Sequence, residues 1–287
     1  MTSGGQHLGD ADEPFPRGKG LPKQSPLFWV QQKDRYLRQL LIRDIEELSG
    51  RRLIVYFANR YHQDADINIG DVSHMAELLG DLEGAPTDLL LNTNGGQTDA
   101  TEALVSLIQA TTNDLRLVVP HSAKSNGTML CLAATEIVMG PPSELGPIDP
   151  YLGPTPTSIL AEETVKQQNF ALHKLALYAI EQTKSLATRL LSEGMMKHRR
   201  PEEIEDTVEK LASRKRFFSH GSAIDHLEAK SLGLNVRYLE IGDPYWDRIW
   251  LLYSMYANDM MRDGLLKVFE GRARSMSLSP PPSPTDP

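Results

Sequence analysis

Leu89-Leu90-Leu91-Asn92-Thr93-Asn94-Gly95-Gly96 is a short apolar run that ends in two adjacent glycines. About thirty residues later, Ser125-Asn126-Gly127-Thr128 opens an apolar, alanine-rich segment. A strand closing on Gly-Gly leaves backbone N–H groups unshielded by any Cβ, so a developing oxyanion can approach the main chain. A serine at the mouth of the next strand-to-helix unit can meet the same substrate carbonyl. Together the two segments outline an acyl-transfer site, with an oxyanion donor and a hydroxyl nucleophile.

The same pattern repeats outward from this pair. Strands are predicted at Leu53–Phe57, Asp88–Asn92, Leu115–Pro120, Glu136–Gly140 and Leu234–Leu239. Helices are predicted near Asp71–Leu82, Asp99–Ala110 and Asn126–Ala134. Strands alternating with helices at this spacing indicate an α/β fold with a mostly parallel sheet. Ligands bind such sheets at the carboxyl ends of strands, where Gly95 and Ser125 both fall. The spacing of Leu37, Leu40, Leu41, Ile45 and Leu48 predicts an amphipathic helix over 25–50. From Ser158 to about Leu191 the chain reads as helical, with a stripe that includes Leu172, Ala176, Thr183, Leu186 and Leu190. Further helices are expected over Glu202–Leu211, Ser222–Leu232 and Trp246–Phe269. These divisions give a disordered segment 1–24, the helix 25–50, a main domain 51–240, a helical extension 241–272 and a disordered Pro/Ser-rich tail 273–287.

The chain has 287 residues, 40% of them hydrophobic, and a formal net charge of -8. That acidity argues against a general nucleic-acid binder. Cys131 is the single cysteine. There is thus no disulfide framework and no cysteine-rich zinc site, and Cys131 reads as a small core residue. No apolar run reaches the roughly 18 to 20 residues a bilayer needs, and the N-terminus lacks the zones of a signal peptide. The expectation is a cytoplasmic protein without a membrane span. His62, Asp64 and Asp66 sit close together, but their spacing matches neither a calcium loop nor a zinc motif, so the segment reads as a solvated loop. No organic cofactor and no metal are expected.

One ordered series of motifs resembles a known family. Leu90 to Gly96, Val118-Val119-Pro120-His121, Ser125-Asn126-Gly127-Thr128, Leu132-Ala133-Ala134, Glu136-Ile137-Val138-Met139 and Leu145-Gly146-Pro147-Ile148-Asp149-Pro150 resemble the serine dehydrogenase proteinase family of the Clp-protease/crotonase superfamily. That family is related to signal peptide peptidase A and other proteases with a Ser-Lys dyad. The resemblance covers about residues 50 to 240. It implies a spiral of ββα units, Ser125 as nucleophile, and an oxyanion hole from the N–H groups of Gly96 and Asn126, with Gly95 shaping the turn. Asn126 departs from the family, which usually has glycine there.

For the base, the resemblance points to a lysine. Clp subunits place a histidine shortly after the Leu-Gly-Pro turn, where this chain reads Ile148-Asp149-Pro150-Tyr151. Relatives with a Ser-Lys dyad put their lysine near the start of the following helix, which here offers Lys174 and, as the alternative, Lys166. A helical wheel sets Lys174 opposite the apolar stripe, and a lysine base needs desolvation or a nearby cation. His121 and His173 are the other candidates considered. The implied activity is an ATP-independent serine peptidase acting on peptides or proteins as a homo-oligomer. A catalytically silent Clp-fold scaffold and a crotonase-type acyl-CoA enzyme are the alternatives.

Overall fold

A computed structural model describes residues 25–80, 82 and 84–281, leaving aside the Trp29 side chain; the segment 1–24, expected to be disordered, lies outside the described residues. The strands are β1 (Arg52–Ala58), β2 (Thr87–Asn92), β3 (Leu115–Val119), β4 (Ser122–Ala123), β5 (Glu136–Met139) and β6 (Glu144–Leu145). They continue with β7 (Tyr151–Leu152), β8 (Thr155–Pro156), β9 (Val236–Tyr238), β10 (Lys267–Glu270) and β11 (Ser275–Leu278). The helices are α1 (Pro26–Gln31), α2 (Lys33–Ser49), α3 (Asp71–Leu79), α4 (Thr98–Thr111), α5 (Asn126–Leu132) and α6 (Thr157–Leu160). After these come α7 (Glu163–Gln168), α8 (Phe170–Glu193), α9 (Pro201–Leu211), α10 (Arg214–Phe217), α11 (His226–Ser231) and α12 (Pro244–Asp263).

The apolar strand runs have the composition of strands buried on both faces. They form a seven-stranded sheet in the order β11-β10-β1-β2-β3-β5-β9. The five strands from β1 to β9 are parallel, with Val55 opposite Leu90 and Leu117 opposite Ile137. Alternate residues face opposite layers. Leu53, Val55, Phe57, Leu90, Val118 and Val138 pack under α2 and α12, against Ile42, Ile45, Trp246, Ile249 and Tyr256. Ile54, Tyr56, Leu89, Leu91, Leu117 and Ile137 face α3, α4, α5, α8 and α9, against Met75, Leu104, Leu130, Leu190 and Val208.

Beyond the carboxyl ends of the strands runs a second, fragmentary layer. Ile67 bridges Gly96, Thr93 bridges Ala123, β4 pairs β6, and Leu145 bridges Ile224. β1, β2 and β3 are therefore each followed by a short extended segment before the next helix, in line with the ββα units that the resemblance implied.

Local chemistry corrects several expected boundaries. The 25–50 helix is split at Gln32, which leaves helical geometry at φ -106°, ψ 21°. The long helical stretch breaks into α6, α7 and α8, because the Asn169 side chain caps α8 by accepting from Leu172 N. The helix expected over 222–232 shrinks to α11: Asp225 caps it, and Ile224 is used to pair with Leu145.

The largest correction is at the C-terminus. The 246–269 helix stops at Asp263, because Gly264 turns left-handed at φ 62°. Lys267–Glu270 then form β10, antiparallel to β1, with Val268 and Phe269 packing into opposite layers. Part of the tail expected to be disordered is β11, paired to β10; only its last residues, 282–287, lie outside the described residues. Lys267 is fully buried and donates to both Asp71 carboxylate oxygens at 2.8 Å and to the Asp66 carbonyl at 2.7 Å. The added strand thereby pins the segment after β1 that leads to Ile67.

Candidate active site

The segment after β2 is held against β4 by two backbone bonds, Thr93 N to Ser122 O at 2.9 Å and Lys124 N to Thr93 O at 3.1 Å. That pairing sets Gly95 directly beside Ser125. A Cβ built on Gly95 would lie 2.8 Å from Ser125 Cβ and 3.0 Å from Asn126 N, and its φ of 105° is itself a glycine conformation. Gly96, at φ 153°, lies so close to Ile67 that a Cβ would sit 2.3 Å from the Ile67 carbonyl. The loop from Asn59 to Ile69 is therefore docked on the glycines through Ile67, with Ala65 and Ile67 buried, and is more than a solvated excursion.

Ser125 sits on a strand-to-helix turn between β4 and α5, at φ 51°, ψ -119°. A non-glycine residue in such geometry is strained, and a sharp turn of this kind lifts a nucleophilic side chain out of the sheet. The Gly95 N–H is engaged by Thr93 Oγ1 at 3.1 Å. Among the described residues the N–H groups of Gly96 and Asn126 have no acceptor, the latter as expected for the first turn of a helix.

The chain opposite Ser125 is supplied by two later segments. Thr128 Oγ1 donates to the Gly146 carbonyl at 2.8 Å, which fixes the Leu145-Gly146-Pro147 turn and so the position of Asp149. The buried Asp149 carboxylate lies 2.8 Å from His220 Nδ1 through Oδ1 and accepts from Arg214 Nη1 at 3.2 Å through Oδ2. Arg214 also donates to the Tyr151 hydroxyl at 2.5 Å. An ionised carboxylate only accepts, so in a hydrogen bond between the two Nδ1 is the donor, and in the neutral ring Nε2 is then the acceptor. His220 belongs to a loop between α10 and α11 that begins at Phe218, which with Ser125 makes the two non-glycine residues of positive φ among the described residues.

Lys124 ties this loop to the Ser125 turn. Its buried ammonium donates to the Leu145 carbonyl at 3.1 Å and the Ser222 carbonyl at 3.0 Å and pairs with Glu144 at 3.1 Å. Burial pushes its pKa below the ordinary lysine value, against the opposing pull of Glu144. Ser125, Gly96, Asn126, Met129, Tyr151 and His220 all line one cavity of about 780 Å³. Ser125 and His220 do not hydrogen-bond directly; contacts of this kind often tighten only around substrate.

Ser125, Gly95, Gly96 and Asn126 are thus brought together, whereas the residues considered as base are elsewhere. Lys166 is exposed on α7 and paired with Glu163 at 3.0 Å. Lys174 is exposed on α8, 5.8 Å above the Phe170 ring. His173 is buried against the Leu160 carbonyl. His121 accepts from Arg60 at 2.6 Å and stacks on Tyr253, and burial together with the Arg60 charge lowers its pKa. None of these four lines the cavity. Sequence reading missed His220 and gave Asp149 no role. The available signal was a histidine flanked by small turn residues, Ser219-His220-Gly221-Ser222, in a stretch without periodicity.

The arrangement offers a hydroxyl, an imidazole with an orienting carboxylate, and two unpaired backbone N–H groups, the parts of a nucleophilic acyl-transfer site. The family model described as ClpP-like SDH-type serine proteinase matches residues 68–268, a span that contains Ser125, Asp149 and His220. Over 256 residues the chain is 30% identical to the uncharacterized protein MJ0137 of Methanocaldococcus jannaschii, covering 83% of this chain and 85% of that protein. A second uncharacterized protein of that organism, MJ1495, is 26% identical over 212 residues, 68% of this chain and 70% of its own length. Among solved structures, ClpP1 from Listeria monocytogenes is similar at 18% identity and a TM-score of 0.43, over 70% of this chain and 98% of that one. A point variant of the same ClpP1 aligns at 20% identity and a TM-score of 0.44, over 73% and 99%. On the family match and the 30% identical relative, the chain belongs to the ClpP-like SDH-type serine proteinases.

Proposed function

We propose that the chain hydrolyses peptide bonds through an acyl-enzyme on Ser125, with His220 as general base, Asp149 as its orienting carboxylate, and the N–H groups of Gly96 and Asn126 as the oxyanion hole. The observation that carries this reading is the convergence of Ser125 and the His220–Asp149 pair on one cavity. In the first step, Ser125 Oγ bonds to the substrate carbonyl carbon while its proton passes to His220 Nε2, and the carbonyl oxygen takes the negative charge between the two N–H groups. Collapse of the tetrahedral adduct breaks the C–N bond, and His220 returns the proton to the leaving amine. A water then attacks the ester, again deprotonated by His220, and releases the acid and Ser125.

The base is assigned to His220 rather than to Lys174 or Lys166, because His220 lines the cavity that Ser125 lines and neither lysine does. The test is labelling of the purified chain with a fluorophosphonate probe, comparing wild type with Ser125→Ala, His220→Ala, Lys174→Ala and Lys166→Ala. Labelling lost in the first two and kept in the lysine variants is the expected result. Labelling lost in a lysine variant and kept in His220→Ala would overturn the assignment of the base, and a folded wild type that takes no label would overturn the peptidase. We also propose that copies of the chain associate, since α8 leaves Phe170, Leu175 and Tyr178 59%, 56% and 65% exposed. Sedimentation showing a monomer at micromolar concentration would refute that part.

A further inference from the structure

We infer that the Asn126 side chain is a positioning residue that locks the Gly96 peptide in the orientation a working oxyanion hole needs. The inference rests on the peptidase reading above and concerns a group which that reading does not use: there Asn126 contributes only its main chain.

The two peptides that flank Gly96 are both pinned along one edge. Ile67 N donates to the Gly95 carbonyl at 2.7 Å, and Gln97 N donates to the Ile67 carbonyl at 2.9 Å. In a trans peptide the C=O and N–H point in opposite directions. The Gly96 N–H and the Gly96 C=O therefore both face away from Ile67. On that side the N–H is unpaired among the described residues, while the carbonyl accepts from Asn126 Nδ2 at 2.5 Å. The same amide reaches Thr98 Oγ1 at 3.3 Å, and Asn126 is 9% exposed.

Two consequences follow. Gly96 occupies a backbone region open essentially to glycine alone, so no side chain of its own restrains it. A turn of the Gly95–Gly96 peptide would replace the donor by the Gly95 carbonyl oxygen beside the forming oxyanion, which repels it. The Asn126 amide holds the adjoining Gly96–Gln97 peptide by its carbonyl and so restrains Gly96 between the two peptides, and it also caps the carbonyl dipole nearest the hole. A glycine at 126 would keep the main-chain donor and lack this clamp.

The decisive experiment compares wild type, Asn126→Ala and Asn126→Asp in the full chain. It measures kcat and KM on a peptide substrate, inhibition by a peptide aldehyde, and amide hydrogen exchange at Gly96 and Gln97. The aldehyde adduct carries its oxygen in the hole, so its affinity reports on hole geometry. Expected for Asn126→Ala are a loss of about 10-fold or more in kcat with KM unchanged, an equal loss of aldehyde affinity, and faster exchange at Gln97. Asn126→Asp fills the same space but sets an acceptor against the Gly96 carbonyl, so it should be slower than Asn126→Ala; a space-filling role predicts the reverse order. Equal kcat and aldehyde affinity in Asn126→Ala and wild type, or Asn126→Asp as active as wild type, would overturn the inference. Should the wild type itself fail to hydrolyse or take a fluorophosphonate, the peptidase reading falls, and exchange at Gln97 still decides the clamp: faster in Asn126→Ala supports it, unchanged refutes it.

Discussion

Asp149→Asn separates the proposed triad from a merely structural cluster, and its effect can be worked from the contacts. The carboxylate serves two partners, His220 Nδ1 at 2.8 Å and Arg214 Nη1 at 3.2 Å, one on each oxygen. An amide has one acceptor oxygen to offer. The Arg214 guanidinium has donors only, so it draws the amide carbonyl and leaves the NH₂ facing His220. That forces the histidine proton onto Nε2, where the imidazole cannot take the Ser125 proton. In a Ser-His-Asp site this change costs about 10³ to 10⁴ in rate, or roughly 4 to 5.5 kcal/mol of barrier at 1.36 kcal/mol per decade. The stability cost, about 1.5 to 3 kcal/mol, should be smaller than the barrier cost, since Asp149 is buried but Arg214 is 28% exposed and keeps the amide oxygen as a partner. The assay is the rate of fluorophosphonate labelling and of peptide hydrolysis, with Tm measured alongside. Asp149→Asn combined with Arg214→Ala should recover part of the loss, because the amide can then turn its carbonyl to His220. A single variant that is folded and within tenfold of wild type in rate would refute the reasoning.

Gly95→Ala forces a Cβ to within 2.8 Å of Ser125 Cβ at a φ of 105°; labelling of Ser125 should drop by at least about 100-fold with a far smaller loss of Tm, and labelling at the wild-type rate would show that the loop does not touch the nucleophile. Cys131 is fully buried and its thiol is pushed up by that burial, so the native chain should not react with a disulfide reagent at pH 8 and should titrate one thiol once denatured; rapid native reaction would contradict the packing. The Arg51 hydrogen bond at 2.6 Å holds the Asp114 carboxyl below its ordinary pKa. A depressed carboxylate adds stability that is full above its unfolded pKa and vanishes as pH falls through the folded one. Asp114→Asn should therefore lower Tm slightly at pH 7, with the difference closing below the ordinary carboxylate range, and a difference that persists at pH 2 would reject the pairing.

The sheet was legible because its strands are short apolar runs that need no distant information: Leu53 to Phe57, Asp88 to Asn92 and Leu115 to Val119 are each continuous and bounded by turns. The C-terminal strands were not, because Leu265 and Leu266 continue the apolar spacing of α12 and only Gly264 marks the break. β11 reads Ser-Met-Ser-Leu, an edge strand whose stability comes from its ladder with β10 rather than from its own composition.

The candidate site divides along the same physical line. A nucleophile and an oxyanion donor set by strand-to-turn geometry are local, so Gly95, Gly96 and Ser125 could be picked from the residues around them. The His220–Asp149 contact spans 71 residues and arises only when the loop after α10 folds back onto the turn after β6. No spacing rule encodes such a return. What the structure adds is how that loop is kept in place. Backbone strain of about 1 to 3 kcal/mol per residue sits at Ser125 and at Phe218, at the proposed nucleophile itself and two residues before the proposed base. Strain persists only where neighbours over-determine the conformation. Here the buried Lys124 ammonium joins both loops by donating to the Leu145 and Ser222 carbonyls, while Ser222 Oγ donates to the Phe217 carbonyl at 2.6 Å. Charge-assisted bonds of roughly 1.5 to 3 kcal/mol each are of the size needed to offset that strain. A lysine adjoining Ser125 is therefore bound up with the candidate site, as a brace between its two strained turns.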